Sequence, residues 1–317
     1  MMAATGRKIW MDGRMVDFAD AHVHVLSHTL HYGVGVFEGI RGYATRHGPA
    51  IFRLREHVER LILSARLYHM KIPYSTEEIE QAILATQAAN EVVPSYIRPI
   101  AYRGEPSLGV KNSTGAVSLA IAAIPAKKYL GEGSEAGVRA KISPFRKPHA
   151  DALPTFAKAA GNYLSGYLAG VDAQQDGYEE AILLDQNGYV AEGSGENIFL
   201  VRDGQLYTPG LESDILVGIT RQSIERMARD LGYSVVEKLI SVNELLTADE
   251  VFFTGTYAEI APVKEVGHFR IGKKVPGPVT TQIMTTFRRI VQGEEPKYAE
   301  WLTPVPARSP SIAAPPA

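Results

Sequence analysis

The sequence predicts an α/β fold built as a small α+β unit followed by a larger mixed unit. Hairpin signals at Asp12-Gly13, Asn187-Gly188 and Asp203-Gly204 are spread along the chain. Amphipathic helical stretches alternate with β-rich runs in both halves. A charged, glycine-bearing stretch, PAKKYLGEGSE (Pro125 to Glu135), separates them and reads as a linker. Since both halves mix hairpins with helices, antiparallel or mixed sheets are expected rather than a doubly wound parallel one. The expected divisions are 1–125 for the small unit, 126–135 for the linker, 136–302 for the large unit and 303–317 for a disordered Pro/Ala-rich tail.

The elements follow in order. Two strands meet at Asp12-Gly13, and Phe37 to Tyr43 and Pro49 to Arg53 read as strands. Leu54, Val58, Leu61, Ala65 and Tyr68 recur at helical spacing. Ser75 with Glu78 is a capping box opening a helix that ends near Asn90. Ser95 to Tyr102 and Ala116 to Ile124 are strands. Past the linker, Arg139 to Ile142 is a strand and Asn162 to Gln174 a helix. Ile219 to Leu231 is a helix with Gly232 just beyond its end. Ser241 and Glu244 box a short helix, a strand ends near Thr254, and Pro278 to Val291 forms a last helix.

Composition narrows the function. Over 317 residues the net charge is −2 and no long basic run occurs, which argues against nucleic acid or an anionic membrane as partner. The absence of cysteine removes disulfides, thiolate nucleophiles and cysteine metal sites, and fits a reducing, cytoplasmic setting. MMAATGRKIW has no apolar core of a signal peptide, and no segment reads as a membrane span.

One lysine stands out. Between Asp151 and Asp172 run twenty residues whose single charge is Lys158. Burial disfavours an ammonium and lowers its pKa, which is what a Schiff-base lysine requires. The plain alternative is a lysine that snorkels from an apolar face to water. Other signals are weaker. GVGVFEG (Gly33, Gly35, Gly39) nearly matches a dinucleotide fingerprint, but Glu38 occupies the place of the third glycine. GSGEN (Gly193 to Asn197) lacks nucleophile-elbow spacing. His22, His24, His28 and His31 are dense, and on a strand His22 and His24 would share a face as metal ligands do; backbone capping is the other reading. No metal is expected, for no H-E-x-x-H or cysteine accompanies them.

Several segments together resemble the branched-chain amino acid aminotransferases, fold-type IV enzymes dependent on pyridoxal 5′-phosphate. They are HTLHYGVGVFEGIRGY (His28 to Tyr43), REHVERLILSA (Arg55 to Ala65), YIRP (Tyr96 to Pro99), FAKAAGNYLSG (Phe156 to Gly166), DQNGYVAEGSGENIF (Asp185 to Phe199), VGITRQSI (Val217 to Ile224) and FTGTYAEIAPV (Phe253 to Val263). The resemblance runs from about Trp10 to Trp301 with the motifs in family order. It implies a D-amino acid aminotransferase-like fold whose larger domain is a β-barrel-like α/β structure.

It also implies roles. Lys158 would carry the cofactor and shuttle the substrate's proton. Glu192 would keep the pyridine nitrogen protonated, although read alone it is a solvated hairpin carboxylate. Gly218, Ile219 and Thr220 at a helix start, with Thr256 and Arg60, would bind the phosphate. Tyr163 would bond the cofactor's 3′-oxygen; by spacing alone it is equally a core tyrosine. Tyr32, Phe37, Tyr129 and Tyr163 would line an aliphatic pocket, and Arg98 would pair the glutamate carboxylate. Tyr96 and the N–H groups after Thr256, at Tyr257 and beyond, resemble the α-carboxylate binders. Tyr32 and Val110 resemble residues lent by a neighbouring subunit, implying at least a homodimer.

The implied reaction is amino transfer between L-leucine, L-isoleucine or L-valine and 2-oxoglutarate. A D-amino acid or (R)-amine transaminase and an aminodeoxychorismate lyase are rivals on the same fold. A non-enzymatic cofactor carrier is a further one.

Overall fold

The computed structural model describes residues 7–111, 115–127, 130–131 and 133–307. The chain divides into two compact units. The described residues within Met1–Ala126, Ala157–Gly161 and Ile290–Ala317 form the first, and those within Lys127–Phe156 and Asn162–Arg289 the second.

The first unit begins with β1 (Lys8–Met11) and β2 (Arg14–Asp17), joined through Asp12 and Gly13 at φ +45° and +91°, the left-handed pair a two-residue hairpin needs. A short helix, α1 (His28–Tyr32), lies where histidines on a strand were considered. His22 and His24 lie outside any strand. The histidines satisfy backbone groups instead: His24 Nδ1 accepts from Leu26 N–H, His28 Nε2 meets Gly109 O and His31 Nε2 meets Val25 O. Among the described residues no three His, Asp or Glu side chains gather as a metal site.

The run expected as one strand from Phe37 to Tyr43 is two, β3 (Gly35–Phe37) and β4 (Ile40–Thr45). The interruption faces Pro99, whose carbonyl accepts from Glu38 N–H but which has no N–H to return. Next come β5 (Gly48–Phe52), α2 (Leu54–Leu67), α3 (Thr76–Asn90), β6 (Ser95–Arg103) and β7 (Val117–Pro125). Helix α3 opens on the Ser75–Glu78 capping box, with both reciprocal bonds present. Helix α2 buries Leu54, Val58, Leu61 and Ala65, and on the same face two polar residues, His57 and Ser64.

The second unit runs β8 (Val138–Arg146), α4 (Tyr163–Gln175), β9 (Glu180–Leu184), β10 (Val190–Gly193), β11 (Asn197–Arg202), β12 (Gln205–Thr208), α5 (Ile219–Asp230), β13 (Val235–Glu237), α6 (Val242–Leu246), β14 (Glu250–Gly255), β15 (Glu259–Val266), β16 (Phe269–Arg270) and α7 (Pro278–Val291). The Ser241–Glu244 box caps α6. The chain ends the described part with β17 (Leu302–Pro304). Thr303 and Pro304, assigned by composition to a disordered tail, pair antiparallel with Ile51 and Ala50 of β5. Proline is tolerated there because β17 is an edge strand.

Two sheets result among the described residues. The first is antiparallel throughout, in the order β17-β5-β4-β6-β7-β1-β2 with β3 on β6. The second is mixed, in the order β10-β9-β8-β15-β14-β11-β12-β13 with β16 on β15, its β9-β8-β15 core being parallel. Ile40, Ile51, Leu61, Ile79, Ile97 and Leu119 fill the first core, and Ile182, Ile198, Phe253 and Val263 the second.

Candidate active site

Lys158 lies in the stretch Ala157–Gly161 that folds into the first unit, beyond the linker in sequence. Its N–H donates to Ser64 Oγ on α2 at 3.0 Å, and its carbonyl accepts from Phe37 N–H on β3 at 3.0 Å. Val36 and Ala159 add an isolated bridge. The backbone of the lysine is thus fastened to a strand and a helix. Ser64 on the buried face of α2 has its explanation in this bond.

The Lys158 ammonium lies 5.1 Å from the centre of the Phe37 ring, and the Arg98 guanidinium 4.6 Å from the same ring. Arg98 Nη2 donates to the Tyr96 hydroxyl at 2.9 Å. Burial pushes the Lys158 amine down to about 8, and the positive charge of Arg60 pushes the same way. At that value about a tenth of the amine is neutral at pH 7, against less than about a thousandth for an ordinary lysine.

Arg60 is turned to a partner the sequence did not suggest. Its Nε and Nη2 donate to the two carboxylate oxygens of Glu38 at 2.6 and 2.9 Å. His57 Nδ1 lies 2.7 Å from Glu38 Oε2. Glu38 is 0% exposed. Burial pushes its carboxyl up, but the Arg60 charge and the hydrogen bonds from Arg60 and His57 outweigh this and hold it well below the usual carboxylate range. Burial pushes His57 down. The first unit therefore brings together Phe37, Arg60, Tyr96, Arg98 and Lys158, with Glu38, His57 and Ser64 behind them.

In the second unit Glu192 is buried, not solvated. Ala191 is one residue too many in the pairing of β10 with β9, and this bulge sets the direction of the next side chain. Glu192 Oε2 accepts from Asn197 Nδ2 at 3.1 Å and from Leu216 N–H at 3.2 Å, and Oε1 pairs with Lys147 Nζ at 2.5 Å. Burial would lower the Lys147 ammonium, but the Glu192 charge and hydrogen bond prevail and raise it. Asn197 Nδ2 also donates to Leu216 O. Its Oδ1 crowds Gly218 so closely that a Cβ there would come within 2.1 Å. Only glycine fits at that position.

Gly218 begins α5 with no side-chain cap, and Ile219 and Thr220 are buried in its first turn. The helix start thus presents backbone donors and the positive end of a dipole. Thr256 and Tyr257 sit half-buried on the turn between β14 and β15. Tyr163 is the first residue of α4, half-buried and near enough to Lys147 for its charge to be felt. Tyr32 ends α1 and is 39% exposed, and Val110 is 74% exposed. Tyr129 lies outside the described residues.

In the first unit a buried amine has the chemistry to condense with an aldehyde; in the second, a buried carboxylate suits a protonated ring nitrogen and a helix start without a side-chain cap suits a phosphate. Glu38, His57, Lys147 and Asn197 were not singled out as site residues from the sequence. Glu38 alone left a trace, as the residue that spoils the dinucleotide pattern.

Comparison with known proteins agrees. The amino-transferase class IV family model matches residues 35–266. The branched-chain-amino-acid aminotransferase of Salmonella typhimurium is 44% identical over 94% of this chain and 97% of its own. The crystal structure of the branched-chain aminotransferase from Thermoproteus uzoniensis with norvaline superposes at a TM-score of 0.91, with 48% identity over 95% of this chain and 99% of that one. That of the branched-chain amino acid aminotransferase from Thermobaculum terrenum in its PLP-bound holo form does so at 0.88, with 34% identity over 96% of this chain and 99% of that one. The chain belongs to the class IV aminotransferases, among the branched-chain-amino-acid aminotransferases.

Proposed function

We propose that the enzyme transfers the amino group of L-leucine, L-isoleucine or L-valine to 2-oxoglutarate, giving branched 2-oxo acids and L-glutamate, with pyridoxal 5′-phosphate held on Lys158. The observation that carries this reading is the Lys158 amine, lowered to about 8 and lying 5.1 Å from the centre of the Phe37 ring that Arg98 also faces.

When bound, the cofactor supplies an electron sink for the substrate's α-carbon. The chain's residues do the rest. The Lys158 amine would serve as the base that accepts the substrate's α-proton and as the acid that gives it back. Glu192, paired with Lys147, would face the protonated ring nitrogen. Gly218, Ile219, Thr220 and Thr256 would offer donors to the phosphate, and Arg60 would add charge. Tyr163 would donate to the cofactor's ring oxygen.

Phe37 and Tyr96 shelter the aliphatic side chain, each methylene being worth about 0.8 kcal/mol. Arg98 pairs with the distal carboxylate of glutamate, and Tyr96, Thr256 and Tyr257 with the α-carboxylate. Exposed in the single chain, Tyr32 and Val110 suit a place against a second copy, so the working form is a homodimer or a larger homo-oligomer. A cytoplasmic setting suits a chain without cysteine. No helix of the described residues is long and apolar enough to cross a membrane.

A substrate scan with L-leucine, D-alanine and an (R)-amine against 2-oxoglutarate tests the specificity, and activity on D-alanine alone would overturn it. Borohydride reduction followed by peptide mass mapping tests the anchor. The adduct should lie in the peptide that contains Lys158, and Lys158→Ala should lose at least about a thousandfold in turnover.

A further inference from the structure

We infer that Glu38 is a positioning residue: its carboxylate fixes the Arg60 guanidinium and offsets that cation's charge at the Lys158 amine. The inference rests on the reading of Lys158 as the cofactor lysine.

The geometry is specific. Glu38 interrupts what would otherwise be one strand, so its side chain leaves the sheet alternation and turns inward, where it is fully closed to water. A carboxylate is rarely placed there unless every lone pair is used. Here both oxygens accept from Arg60 in a two-point fork, one also faces His57 Nδ1, and Gly39 N–H donates at 3.2 Å. The fork fixes the plane of the guanidinium as a lysine in its place would not be fixed. The hydrogen bonds of His57 and Gly39 in turn fix Glu38, so the position of Arg60 is set from behind.

The electrostatic consequence concerns Lys158. Among the described residues, the charged and titratable groups that act on its amine include Arg60 and His57 from α2, Glu38 from the β3–β4 connection, and Tyr96 and Arg98 from β6. Arg60 and Arg98 favour the neutral amine, while Glu38 and Tyr96 favour the ammonium. His57, on α2 beside Arg60, is pushed down by burial and stands as a neutral hydrogen-bond partner rather than a third cation. A fixed arginine unopposed by Glu38 would drive the lysine further toward its neutral form; an arginine lost would let it charge. Glu38 thus holds Lys158 at an intermediate setting, able both to attack a carbonyl as an amine and to carry a proton.

The test is the pH midpoint of Lys158 acetylation by acetic anhydride in the full-length protein freed of cofactor, read from the mass of its peptide. Glu38→Gln keeps an acceptor for Arg60 but removes the charge, and should lower the midpoint by about one pH unit, a tenfold gain in neutral amine at neutral pH. Arg60→Gln should raise it, and this variant decides the matter if Glu38→Gln does not fold. Glu38→Asp restores the charge and should bring the midpoint back toward wild type. An unchanged midpoint in both Gln variants, or shifts in the same direction, overturns the inference. The absorbance titration of the cofactor-loaded variants should move with the labelling. Labelling shifts without an absorbance shift would instead remove Lys158 as the cofactor lysine and leave its coupling to Glu38 and Arg60 standing.

Discussion

The Lys147 ammonium lies 2.5 Å from a carboxylate oxygen of Glu192, with the two side chains only 14% and 9% exposed. Burial alone would lower the Lys147 ammonium, and the Glu192 charge reverses this. The ion pair gives a carboxylate nearly shut off from water its compensating charge.

Removing the cation should therefore be costly. Lys147→Met leaves a buried carboxylate uncompensated and should destabilise the cofactor-free protein by about 3 kcal/mol in urea unfolding. Glu192→Gln should be milder for stability but severe for chemistry. Bound cofactor should persist while the single-turnover half-reaction with L-leucine slows by about a hundredfold.

Stability should also depend on pH through Lys158. Its folded value of about 8 lies below its ordinary 10.5, so the unfolded chain binds more protons between those values. Stability should then rise with pH across that window, by about 3 kcal/mol in the limit. Below the folded value both states are protonated and the full penalty stands. Unfolding of cofactor-free wild type and Lys158→Met from pH 7 to 10.5 measures it: the increment should appear in wild type and be missing in the variant.

Gly39 tests the Tyr96–Arg98 contact without touching either residue. A Cβ at position 39 would lie 2.1 Å from the Tyr96 hydroxyl, which must move away and release Arg98. Gly39→Ala should raise the KM for 2-oxoglutarate by about tenfold with a smaller change in kcat, as expected for the loss of one charge-assisted contact.

Arg98→Met should separate the two half-reactions. The KM for 2-oxoglutarate and L-glutamate should rise about thirtyfold, the worth of a lost hydrogen-bonded ion pair. The half-reaction with L-leucine, whose side chain carries no charge, should stay within about threefold.

Much of this was legible in the sequence for physical reasons. The capping boxes at Ser75 and Ser241 and the hairpin at Asp12-Gly13 are local devices, decided by residues within a turn of one another. Lys158 was legible because it is isolated in an apolar stretch. What escaped is non-local. Nothing near Lys147 announces that it meets Glu192, 45 positions away, or near Ser64 that it bonds Lys158 across 94. The break between β3 and β4 depends on a proline two strands on in the chain, opposite Glu38. Composition also misassigned Thr303 and Pro304, because edge pairing costs a proline little.

The stitching of residues 157–161 to Phe37 and Ser64 has a genetic consequence. A gene severed in the linker would deliver the scaffold in one fragment and its amine in the other. The chain's modularity is spatial rather than sequential, so recombination at the obvious seam should yield two inert halves. A workable split or circular permutation must leave the peptide bearing that amine with the strand and helix that clasp it.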